Sequence, residues 1–131
     1  MFPHIITVFN VVTDNNGIVH YYKKEVSDVF AHTQKIVSQE GKGEKYTSAH
    51  DVIFSSIALN DYIDIDSYLK LEDKSNKFTL KSNDIIVIGT FSDITGLSDI
   101  QKTNADYFLI KTISDNRYGL DTNLNNIEVT D

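Results

Sequence analysis

From His4 to Val12 the chain reads HIITVFNVV, and from Ile18 to Val26 it reads IVHYYKKEV, two runs rich in β-branched and aromatic residues. Between them Thr-Asp-Asn-Asn-Gly at 13–17 supplies a turn, with Asn16-Gly17 able to take the positive φ that a tight connection needs. The pattern predicts a β-hairpin. Pro3, the only proline, stands just before the first strand, where its missing N–H removes no ladder bond. A third strand is expected over Asp28 to Thr33.

Residues 38–48 (SQEGKGEKYTS) break the alternation with Gly41 and Gly43 set among polar residues and Lys42 and Lys45 beside them. They read as a long mobile loop, an extended arm between strands that orders on assembly. Neither a P-loop nor a dinucleotide-binding glycine pattern surrounds the Gly-x-Gly. An apolar run resumes over Asp51 to Ile57. The stretch ALNDYIDIDSY then carries Asp61, Asp64 and Asp66, whose Asp-Ile-Asp alternation suits the wet face of a short strand better than a calcium loop, since the glycine and closing glutamate of such a loop are missing.

After Phe78 to Leu80, Ser82-Asn83-Asp84 predicts a turn, and Ile85 to Ile88 predicts a strand buried on both faces at the centre of the sheet. The one helical signal is Ser98 to Asn104, with Ser98 as N-cap and Gln101 in capping-box position. A strand over Tyr107 to Ser114 follows, and Ile127 to Val129 is placed to pair back onto it. Six to eight short strands and one short helix close most economically as a small antiparallel β-barrel or sandwich, a mainly β fold in which residues 1–131 form a single domain.

Composition narrows the chemistry. No apolar run approaches the ~18 residues of a membrane span, and no cysteine is present, so disulfides and thiolate sites are excluded. The histidines at 4, 20, 32 and 50 lack the short spacing of paired metal ligands, so neither a metal nor another cofactor is expected. The net charge of −7 falls mostly on the second half, where 7 basic residues face 13 acids, against 5 and 6 in residues 1–60. Such a surface repels phosphate, which disfavours tight DNA binding. No nucleophile elbow or other catalytic motif stands in the sequence, and no enzyme is expected.

Four phrases in order, MFPHIITVFN, SAHDVIF after the arm, FTLKSNDIIVIGTF and YFLIKTISDNRYG, resemble small head-tail region proteins of tailed phages and prophages of Firmicutes. The likeness extends over nearly the whole chain. It departs at Leu124 to Val129, where relatives carry a His-aromatic pair, and at His50, where they carry an acid.

What the resemblance implies is a virion structural protein of the neck, a head-closure or stopper-like β-barrel. Its copies would form a homo-oligomeric ring, assembled in the host cytoplasm, between a portal or adaptor protein and a tail terminator or tail tube. Genomic DNA would pass through the lumen without specific binding. The alternatives are a tail-terminator ring and, from another class, a small ligand- or nucleic-acid-binding barrel. On this reading Gly41, Lys42, Gly43, Lys45 and Tyr46 of the arm reach a neighbour, and Asp61, Asp64 and Asp66 face the lumen. Arg117, the only arginine, sits in the DNRYG turn beside Tyr118 and is either an inter-subunit anchor for a carboxylate or an exposed hairpin corner.

Overall fold

In the computed structural model, residues 4–40, 43–117 and 125–131 are described, with backbone alone over 35–40 and 43–48. Seven strands form one antiparallel sheet: β1 (His4–Thr13), β2 (Val19–Glu40), β3 (Gly43–Phe54), β4 (Ile85–Ile88), β5 (Tyr107–Leu109), β6 (Thr112–Asp115) and β7 (Ile127–Thr130). Their order across the sheet is β5-β4-β1-β2-β3-β7-β6. The two edge strands are consecutive in the chain, with only Ile110 and Lys111 between them. A two-residue link spans only about 10 Å, so the edges must approach each other, and the sheet curls into a half-barrel. The expected barrel-like β fold is observed.

The first hairpin forms as its sequence predicts. Asp14 Oδ1 accepts from the N–H of Asn16 and of Ile18, both at 2.9 Å, and Gly17 takes a φ of +79°. Alternation along β1 then sorts two cores. Ile6 and Val8 face the barrel interior with Val26, Val29, Val52, Phe54, Ile86, Phe108, Ile127 and Val129. Phe9 faces the opposite side with Ile85 and Val87, covered by Ile94 and Ile100. Ile85 to Val87 is therefore buried on both faces as expected, yet β4 lies second from the edge, because β2 and not β4 is the strand flanked most deeply on each side.

Several expected elements take other forms. The third strand is not separate: β2 runs unbroken for 22 residues, and Asp28 at φ +61° marks the irregularity where the inward face changes from even to odd positions. Positions 38–40 and 43–48 are strand and not loop. Wherever they are described they are ladder, from Ser38↔Lys45 to Glu40↔Gly43, because a hairpin satisfies the backbone of polar residues as well as that of apolar ones. The strand expected over 107–114 is interrupted at Ile110, its first part bonded to β4 and its second to β7.

Helix is more frequent than the single segment expected. Helix α1 (Ile65–Leu69) and a 3₁₀ turn (Ala58–Asp61) join α2 (Ser98–Gln101). Ser98 is the first residue of α2, not its cap; Leu97 holds the N-cap position without a side-chain bond.

The two ends of the half-barrel differ. Residues 55–84 fold back over one end, where Phe78 packs against Phe54 at 5.8 Å between ring centroids. The N–H of Phe78 donates to Asp61 and the N–H of Ile63 to Phe78, making a short parallel bridge. Beneath them Asn10 is fully buried, donating to the Thr79 carbonyl at 2.6 Å and to Asp84 Oδ2 at 2.7 Å while its Oδ1 accepts from the Thr79 N–H. The buried Asp84 carboxylate also accepts from the Val11 N–H and the Lys81 ammonium. Burial pushes its carboxyl up, against those hydrogen bonds. At the other end β2 and β3 leave the sheet together as a two-stranded ribbon.

Candidate functional site: the open end of the barrel

The ribbon begins where β1 and β7 stop pairing. The last β1–β2 pair is His4↔Val29 and the last β3–β7 pair is Asp51↔Thr130, so eight pairs, Thr33↔His50 to Glu40↔Gly43, lie beyond both. At about 3.3 Å per residue they project roughly 26 Å.

At the root of this ribbon the inward parity of β3, shared by Val52 and Phe54, brings His50 into the barrel mouth. Its side chain is only 7% exposed and stacks on Phe108 of β5, with centroids 4.9 Å apart and planes 13° apart. Nδ1 lies 2.8 Å from Asp131 Oδ2 and Nε2 lies 2.8 Å from Asp106 Oδ1. The His50 N–H donates to Asp131 Oδ1, and Asp106 Oδ2 accepts from the Thr33 hydroxyl of β2. One clasp thus ties β2, β3, the entry to β5 and the end of β7.

Acceptors at both ring nitrogens favour the imidazolium form, in which each nitrogen carries an N–H. Burial works against that charge, and the bonds to Asp131 and Asp106 outweigh it, so the His50 pKa is raised above the ordinary 6.5. The same bonds draw the Asp131 carboxyl below its ordinary value despite its partial burial. In that form both nitrogens donate, and the ring braces the strands that carry its two carboxylate partners. Among the described residues, no group of three or more histidine or acidic side chains is arranged to hold a metal ion.

Beside the clasp an open groove of about 460 Å³ is lined by His50, Asp106, Tyr107, Leu109, Lys111 and Asp131. Its floor is the edge of β5. In the antiparallel ladder, residues turn their backbone groups alternately to either side. The N–H of Ile88 donates to Asp106 and the N–H of Ile110 to Asp84, so even positions face β4. Tyr107 and Leu109 turn their N–H and C=O groups into the groove.

The residues singled out in the sequence are divided between the two ends. Gly43 opens β3, and Lys45 and Tyr46 stand in register with Ser38 and Val37 on the ribbon. Gly41, Lys42 and Tyr118 lie outside the described residues. Arg117 is at the far end: its Nε and a terminal nitrogen grip Asp115 at 2.8 and 2.7 Å, and its guanidinium lies 4.9 Å over the Tyr62 ring. The carboxylate that the fork engages is on its own chain, and the pair holds the Asp115 carboxyl below its usual range.

The three aspartates are not a strand face. Asp61 ends the 3₁₀ turn within ion-pair reach of Lys24 at 3.4 Å and Lys77 at 3.8 Å, Asp64 caps α1 through Ser67, and Asp66 lies in the first turn of that helix. They stand at the plugged end, away from the ribbon. Sequence reasoning missed His50, Asp106 and Asp131 as a unit, although the inward alternation His50, Val52, Phe54 was a usable signal for the first of them.

A model of a family of unknown function, DUF6751, matches residues 2–130, and the chain belongs to that family. No curated protein and no solved structure shows a significant match to the chain.

Proposed function

We propose that this member of DUF6751 is a structural subunit of the phage neck, a head-closure or stopper-like protein whose identical copies form a ring between portal or adaptor and tail. The observation that carries the reading is the ribbon: eight cross-strand pairs project from a curled sheet that leaves strand edges open at the same end. An unprotected edge is a hazard in a free monomer and an asset in an assembly. The charge of −7 supports the same reading, because an acidic ring lets DNA slide without trapping it by counterion release. The side chains of the clasp brace strands against one another.

Labelled chain in particles of a phage that encodes it tests the assignment, read by cryo-EM. Density at the head-tail junction is the expected result. Density confined to the tail tip or baseplate contradicts it.

A further inference from the structure

The barrel has an open edge and a projecting edge at the same end, and they are different strands. On β5 the groove exposes the backbone groups of Tyr107 and Leu109. On β2 the Ala31 N–H donates to His4 Nδ1, so odd positions face away from β3. Beyond Ala31 that side of the ribbon, at Thr33, Lys35, Val37 and Gln39, pairs with no strand among the described residues.

We propose that the free β2 edge of a second copy of this chain adds to the free β5 edge, in the groove beside His50. The inference rests on the ring reading and names its contact. Two features favour a second copy as the occupant. Donor and acceptor edges are both present in the one sequence. They are different surfaces, so the contact is head-to-tail and propagates around a ring where a self-complementary contact would stop at a dimer. Strand addition supplies the backbone hydrogen bonds that hold the two edges together.

Proline at position 109 is the decisive substitution. The Leu109 N–H faces the groove and not β4, so Leu109→Pro removes an added strand's donor without breaking the β4 ladder. Leu109→Ala shortens the same side chain and keeps the N–H. Circular dichroism and thermal unfolding verify that each variant folds; should Leu109→Pro not fold, Tyr107→Pro with Tyr107→Ala replaces the pair.

Self-association is read by light scattering over a concentration series. The expected result is that wild type and the alanine variant assemble alike, while the proline variant needs roughly tenfold or more higher concentration. Equal assembly by the proline variant overturns the proposal and leaves the ring reading standing. Absence of assembly by wild type overturns both. The occupant is identified in the cysteine-free background by pairing Lys111→Cys with single cysteines at 34 to 39. An intermolecular disulfide confined to these pairs supports the ribbon, and cross-linking to none of them overturns it.

Discussion

At the plugged end, Asn10, Thr79, Lys81 and Asp84 are drawn together by at least six hydrogen bonds under Phe78. At the open end one histidine between two aspartates braces the mouth, and Tyr107, Leu109 and one side of the ribbon turn backbone groups outward. The two ends derive from the same sheet, so the difference lies in what covers it. A buried network of bonded polar groups favours one arrangement. An end held by a clasp and bare edges keeps its bonding capacity for another molecule.

The largest effect is expected at the plugged end. Asp84→Ala leaves the Lys81 ammonium and the Val11 N–H without their buried acceptor and should cost about 3–5 kcal/mol, measured as a shifted urea midpoint. A loss below about 1 kcal/mol would show that this network is not what fixes that end. His50→Gln at the open end should cost less, about 1–3 kcal/mol, since part of the clasp is solvated.

The pH dependence of the two ends separates them further. Because the His50 pKa is raised on folding, the folded chain binds that proton more tightly than the unfolded chain. The stabilisation is complete below the ordinary value of 6.5 and is lost as pH rises through the higher folded value. Melting temperature should therefore fall over that interval in wild type, and His50→Gln should flatten this fall. An equal fall in both proteins would assign the dependence elsewhere.

Smaller changes are expected from two further variants. Arg117→Ala removes a partly exposed pair with Asp115 and a contact with Tyr62, and should cost about 1 kcal/mol or less without altering assembly. Loss of assembly in that variant would move the interface to the plugged end. Tyr68→Phe should be neutral or stabilising by up to about 1 kcal/mol, because the buried hydroxyl of Tyr68 has no hydrogen-bond partner to lose.

Strand content was legible in the sequence where apolar residues run together, as in β1 and β4, or alternate with polar ones, as in β7, and the 82–84 turn was legible through Asn83, which takes φ +72°. The ribbon was not legible, since its polar, glycine-bearing residues carry no burial signal and gain strand form only by pairing with each other. Arg117 was identified as a fork suited to a carboxylate, and the nearest one, two residues upstream at Asp115, was overlooked. The clasp escaped notice because Asp106 and Asp131 lie 56 and 81 positions from His50 and meet it only when the sheet curls.

The claim that the open end is the assembly end is tested most directly by the mass of the particle in solution. Residues 35–48 replaced by Asn-Gly shorten the ribbon to its root, close on the hydrogen-bonded pair Gln34↔Ala49 and leave Thr33 and His50 in place, with the turn chemistry that a two-residue connection needs. Light scattering should then find a closed oligomer for the full chain and a folded monomer for the shortened one. Rings of the same mass from both would contradict the account.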